Sequence, residues 1–192
     1  MNTLEILWFV LIGVLWAGFF FLEGFDFGIG MQFIFNARDE NDRDALYEAI
    51  GPNWDANEVW LITAGGAMFA AFPNWYASLF SGFYLMLLIV LLALIYRGVS
   101  FEFREQMPTI QGAQLWERLI GITSVMVPFF LGMIFTAMVS GTPIDARGNL
   151  TAGFFDYVTP FTLVGGIAVA LMSYVHGLNY TRLRIIGPLR DR

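Results

Sequence analysis

Five stretches of about 20 residues, each almost free of charge, govern what this chain can fold into. They are Leu4–Leu22, Trp54–Phe72, Trp75–Tyr96, Leu119–Val139 and Val158–Leu178. A hydrocarbon layer about 30 Å thick is crossed by about 20 apolar residues in a helix. Backbone groups in lipid must find hydrogen-bond partners within their own segment, so each stretch reads as a helix. The pattern predicts an all-α, polytopic membrane helix bundle of five transmembrane helices, a single bundle spanning 1–192. The helices are expected over about 4–35, 54–73, 75–97, 117–140 and 158–180. Pro73 should close the second and Pro128 should kink the fourth. With 57% hydrophobic and 14% charged residues, the chain has too little charge to cover a soluble globule, where about 25% is usual. The first stretch lacks a basic leader, and Glu23 and Asp26 follow it directly, so it reads as a retained helix and not a cleavable signal.

Arginine distribution assigns the sides. All ten basic residues are arginines. Arg38 and Arg43 lie between the first two stretches, Arg97, Arg104 and Arg118 between the third and fourth, and Arg182, Arg184, Arg190 and Arg192 after the fifth. These nine share one side and only Arg147 lies on the other. The amino terminus is therefore expected outside and the carboxy terminus in the cytoplasm. A net charge of −6 argues against a nucleic-acid partner. The absence of cysteine excludes disulfides and thiolate metal sites. A single histidine, His176, excludes a multi-histidine metal site or a haem held by two histidines of this chain. His176 reads as a hydrogen-bonded residue near a helix end in preference to a haem ligand. The nine methionines are scattered and read as apolar filler, not a copper site.

Acidic residues at membrane depth are the anomaly. Each costs on the order of 2.5–3.5 kcal/mol at a helix centre and so requires a partner, water or a task. Glu23 and Asp26 are three apart on one helix face, and Asp55 and Glu58 repeat that spacing. With Arg97 and Glu102 they make six charged residues expected at the cytoplasmic end of the first three helices. Such a cluster suits a proton or ion path. The competing reading is interfacial ion pairing, with Arg97 as the counter-charge. Small residues mark where helices approach: Gly24 and Gly28, Ala64–Ala67 with Ala70 and Ala71, and Gly165 with Gly166. Asp26 lies about 160° around the helix from Gly24 and Gly28. The glycine face can thus pack on a neighbour while the acidic face looks elsewhere.

Particular strings carry more than these averages. Gly24-Phe25-Asp26-Phe27-Gly28-Ile29-Gly30-Met31 ends the first helix, and Gly51-Pro52-Asn53-Trp54-Asp55-Ala56-Asn57-Glu58-Val59-Trp60-Leu61 opens the second. Ala64 to Pro73, Ser81-Gly82-Phe83-Tyr84 and Arg97-Gly98-Val99-Ser100-Phe101-Glu102-Phe103-Arg104 follow. From about residue 20 to 105 the chain closely resembles subunit II of the cytochrome bd quinol oxidases, and His176-Gly177 through Arg184 extends the likeness more loosely. Subunit II of that family is usually nearly twice this length, so the chain resembles its amino-terminal half. The resemblance implies a part of a terminal respiratory oxidase in a bacterial or archaeal cell membrane, oxidising quinol and reducing oxygen to water. It implies that haems b and d and the quinol site belong to the partner, subunit I, and that this chain holds no cofactor and no metal and has no directly catalytic residue. A remaining carboxy-terminal half and small accessory subunits are further implied partners. It also implies a cytoplasmic proton path past Asp26 and Asp55, with Arg97 and Glu102 matched and Glu23 and Glu58 in the same stretches. An ion or solute transporter module, or a purely structural membrane subunit, is the alternative.

The predicted topology has a direct check. Reporter fusions at Asn41, Glu105 and Arg192 should report cytoplasm, and a fusion at Asn149 the exterior. A cytoplasmic Asn149 would overturn the orientation.

Overall fold

The computed structural model describes residues 2–147 and 150–191. Asn149 and Arg192, used in the topology argument, lie outside the described residues. Among the described residues there are seven α-helices: α1 (Thr3–Phe35), α2 (Glu40–Ile50), α3 (Trp54–Ala71), α4 (Pro73–Gly82), α5 (Tyr84–Glu105), α6 (Ile110–Ser140) and α7 (Pro160–Arg184). Short 3-10 turns cover Phe154–Tyr157 and Pro188–Asp191, and the extended structure described is an isolated bridge between Ile144 and Leu150. Side-chain caps start four of the helices. Asn2 and Glu5 form a capping box on α1, and Asp39, Thr109 and Thr159 accept from the first turns of α2, α6 and α7.

The expected helices differ from the observed ones in instructive ways. Four of them, α1, α5, α6 and α7, are long and apolar enough to cross a membrane. The expected second span forms as α3, but its 18 residues begin with Asp55, Asn57 and Glu58, which lower its apolar character. The expected helix over 75–97 is broken at Phe83. Phe83 donates to the Leu79 carbonyl as the C-cap of α4 and accepts from the Leu87 N–H as the N-cap of α5. Gly82, just before the break, holds the Leu150 side chain where a Cβ would stand. Pro73 ends α3 and starts α4, matching its missing N–H to a first-turn position. The fourth helix starts at Ile110, seven residues before its expected start at 117, and remains helical through Pro128. The fifth covers Pro160–Arg184 in place of 158–180.

The connecting segment after α1 folds as the amphipathic helix α2, which the apolar pattern did not suggest. Its Leu46, Ala49 and Ile50 bury against Phe25, Ile29, Phe33, Phe101 and Ile120.

Central to the bundle is α1, which packs on α7, α6, α3 and α2. Its first half is apolar and largely exposed apart from Ile12 and Phe19, while Glu23 through Phe33 is continuously buried. The glycine and acidic faces do diverge. Gly28 meets the α7 backbone: a Cβ there would clash with the Ser173 carbonyl oxygen and lie 2.7 Å from Gly177 N. Gly177 returns the contact against Gly28 and Ile29. Gly132 of α6 touches Gly165 and Gly166 of α7 in the same manner. The expectation fails for Gly65 and Gly66, which meet nothing within 4 Å. Both open onto an apolar groove of about 540 Å³ between α3, α4 and α5. Gly24 meets α7 more loosely, with the His176 ring at 3.7 Å and Ser173 Oγ at 4.0 Å from where a Cβ would stand.

These contacts separate the glycines experimentally. Gly28→Leu or Gly177→Leu should destabilise the α1–α7 pair by about 1–3 kcal/mol, because the obstacle is backbone and cannot rotate away. Gly66→Leu should leave the thermal unfolding of this chain unchanged. Equal unfolding temperatures for Gly28→Leu and Gly66→Leu, measured in detergent, would refute the assignment.

Candidate functional site: a buried charge cluster

One helix face brings Glu23 and Asp26 inward from α1, since they are three residues apart in a fully buried stretch. From α3 come Asn57 and Glu58, from α5 Arg97, and from α6 Ser124. Arg97 is the largest fully buried side chain in the described residues, at 0% exposure. Its Nη1 donates to Glu23 Oε1 at 2.7 Å and to Glu58 Oε1 at 3.1 Å. Its Nε donates to Ser124 Oγ at 3.4 Å. The Phe27 and Phe101 rings face the guanidinium, with centroids 4.9 and 5.3 Å away. Asp26 does not pair with Arg97 directly. Its Oδ2 accepts from Asn57 Nδ2 at 2.6 Å.

The six charged residues expected to gather do not all do so. Glu23, Asp26, Glu58 and Arg97 come together, whereas Asp55 and Glu102 lie at the surface. Asp55 sits in the first turn of α3, close enough for its charge to act on Glu58. Glu102 lines a surface cavity of about 510 Å³ with Asp44, Glu48, Glu105, Arg104 and Trp54. Phe101 also lines it and stacks on Trp54 at 5.0 Å between centroids and 16° between planes. One aromatic residue thus contacts both the cavity and the Arg97 guanidinium.

A second charge layer went unseen in the sequence. Glu117 of α6 is 2% exposed. It accepts from Arg43 Nη1 at 3.1 Å and from Arg104 Nε and Nη2 at 3.2 and 3.1 Å. Arg104 also pairs with Asp44 and lies 4.4 Å from the Tyr47 ring centroid. Tyr47 donates to the Phe101 carbonyl oxygen at 2.9 Å. Burial, with the nearby Glu105 carboxylate, pushes the Tyr47 phenol up to about 12, so it remains a donor at neutral pH. Glu117 falls in a polar run before the apolar stretch, where a carboxylate looks like solvent-facing charge. Asn57 and Ser124 are uncharged and gave no signal of their own. A Gln32–Thr181 pair, 2.9 Å from Nε2 to Oγ1, joins α1 to α7 in the same region.

His176 is engaged: its Nε2 hydrogen-bonds to the Phe21 carbonyl oxygen at 2.8 Å, and its ring packs on Phe21 and Phe25. Among the described residues no group of three histidine, cysteine, aspartate or glutamate side chains is arranged to hold a metal ion.

The profile of the cytochrome bd terminal oxidase subunit II family matches residues 4–192. Cytochrome bd ubiquinol oxidase subunit 2 of Bacillus subtilis (strain 168) is 49% identical over 192 residues, covering 100% of this chain and 57% of that protein. Cytochrome bd-I ubiquinol oxidase subunit 2 of Escherichia coli (strain K12) is 38% identical over 195 residues, covering 100% and 52%. A probable cytochrome oxidase subunit 2 of Haemophilus influenzae is 35% identical with the same coverage. The chain spans about half the length of the curated relatives it matches.

The two charge layers should respond differently to neutralisation. Arg97→Met should destabilise the protein by about 3–5 kcal/mol, since it strands carboxylates in an apolar interior. Arg104→Met should cost distinctly less, because Arg104 is partly solvated and Arg43 still faces Glu117. Thermal unfolding of both variants in detergent checks the order. A larger loss for Arg104→Met would reverse the assignment of the central charge.

Proposed function

This chain belongs to the cytochrome bd terminal oxidase subunit II family, and from that premise we propose that it supports a haem-bearing subunit I and offers a cytoplasmic proton path for the reduction of oxygen to water. In this reading the complex is a quinol:oxygen oxidoreductase of the bacterial cell membrane, and the chain alone is not catalytic. The haems and quinol chemistry belong to subunit I. The single histidine of the sequence, His176, supports that division, since it cannot supply two histidine ligands to a haem. The chain corresponds to one amino-terminal bundle of subunit II, with five spans and the amino terminus outside. α3 is the fifth span, its polar first turns kept from lipid by α1 and the partner subunit. A carboxy-terminal half and small accessory subunits complete the assembly.

The observation that carries the reading is the gathering of three carboxylates around one buried guanidinium. A single positive charge cannot neutralise three negative ones. Such a cluster takes up and releases protons as its charge is balanced. Its members also form a connected series with one end at the surface. Asp55 lies one turn from Glu58; Glu58 and Glu23 share Arg97 Nη1; Asp26 lies one turn from Glu23, toward the carboxy-terminal end of α1, and is oriented by Asn57. Glu102 lines the cavity behind the Trp54–Phe101 stack. Arg97 and Asn57 act as positioning residues, and the carboxylates carry the protons.

A transporter would instead need a solute site, often made by a broken helix. The break at Phe83 is enclosed by Leu79, Leu87, Met86 and Tyr157. With apolar residues and one phenol around it, it offers no converging charge. That favours the oxidase-subunit reading.

Asp26→Asn and Asp55→Asn test the path, since each preserves shape but cannot take up a proton. Because Arg97 pairs with Glu23 and Glu58, neither change strands the arginine. Both variants should assemble with full haem content, while oxygen consumption falls about 100-fold or more if the acid is obligatory. Electron transfer from quinol to the first haem should be unaffected. Assembled complex with full oxygen consumption in both variants would overturn the path.

A further inference from the structure

Three polar atoms of the buried cluster have no hydrogen-bond partner: Glu23 Oε2, Asp26 Oδ1 and Arg97 Nη2. All three side chains are at 0% exposure. Their remaining polar atoms are largely occupied. Glu23 Oε1 accepts from Arg97 Nη1, Asp26 Oδ2 accepts from Asn57, and Arg97 Nε donates to Ser124. Buried polar groups are almost always satisfied, and an unsatisfied one points to water or an ion.

The chemistry of the three atoms selects among ligands. They are two acceptors and one donor. A cation would suit the carboxylate oxygens but meet the guanidinium. An anion would suit the guanidinium but meet two carboxylates. Water accepts one hydrogen bond and donates two, which is the complement of this set. Internal waters typically make about three hydrogen bonds to groups otherwise unpaired.

We propose that Glu23, Asp26 and Arg97 bind one internal water, which accepts from Arg97 Nη2 and donates to Glu23 Oε2 and Asp26 Oδ1. The site joins the two carboxylates of α1, between which no hydrogen bond exists. It also gives the proton path its missing link. When Glu23 is protonated its bond to the water is reversed, and Oε2–H donates to the water oxygen. The water then takes that proton as one of its own passes to Asp26 Oδ1, leaving Glu23 ionised and the water donating to Oε2. The water is regenerated and one positive charge has moved between the carboxyls. This transfer rests on the proton-path reading; the water site itself rests only on the hydrogen-bond inventory.

The test is an ordered-water map of the whole oxidase complex, by electron cryomicroscopy or crystallography, with turnover measured on the same preparations. Wild type should show one peak about 2.7–3.2 Å from all three atoms. Asp26→Leu should lose the peak and Asp26→Asn should keep it. A wild-type map with Nη2 bonded directly to either carboxylate, with ion density at the position, or with no peak overturns the site, whatever the turnover. If Asp26→Leu does not assemble, the wild-type and Asp26→Asn maps decide. A retained peak with slow turnover in Asp26→Asn supports both the water and the relay. A retained peak with full turnover supports the water site and overturns the relay.

Discussion

A guanidinium shut away from bulk solvent dictates most of what surrounds it. Arg97 can lie at the centre of an apolar bundle only if carboxylates from other helices meet it there, because an unpaired charge in such a medium is very costly. Glu23 from α1 and Glu58 from α3 answer that demand. Ser124 Oγ of α6 accepts a hydrogen bond from Nε, and the Phe27 and Phe101 rings turn their faces toward the charge. Four helices are thereby held at one height. The same demand explains why α1 is buried without interruption from Glu23 to Phe33, although its other half is open to lipid.

The second layer, around Glu117, meets a different need. Arg43 and Arg104 share the buried Glu117 carboxylate near the arginine-rich end, and Arg104 also pairs with Asp44, where side chains still reach solvent. Its effect is to hold α2 across the ends of α5 and α6. The apolar face of α2 then seals the bundle beneath it. Tyr47 and Phe101 connect the layers: the phenol bonds the carbonyl of the residue whose ring covers Arg97.

Much of this was legible in the sequence, for physical reasons that differ by residue. The apolar runs gave the helices because lipid imposes length and closed backbone pairing. The three-residue spacing of Glu23 and Asp26 placed both inward, and Arg97 stood out as a charge beside an uncharged run. What could not be read depended on neighbours in space. Glu117 resembles surface charge until Arg43 and Arg104 arrive from other helices. Asn57 matters only because Asp26 stands opposite it. The break at Phe83 requires Leu150, 67 positions further on, to fill the room beside Gly82. Gly65 and Gly66 show the limit of the small-residue rule: the composition was right, yet no helix of this chain lies against them.

The contact between Gly28 and Gly177 also sets a mechanical limit. Two bare backbones interlock there, flanked by bulky Ile29 and Leu178. An α-helix rises about 1.5 Å per residue. Sliding α1 along α7 by one or two residues would drive a side chain into the notch, and the next gap, at Gly24 and Ser173, is a four-residue step or about 6 Å away. The pair therefore behaves as a ratchet with widely spaced teeth. The carboxylates on α1 stay at a fixed depth relative to the arginines that follow α7, and thermal motion along the axis is confined to fractions of a tooth.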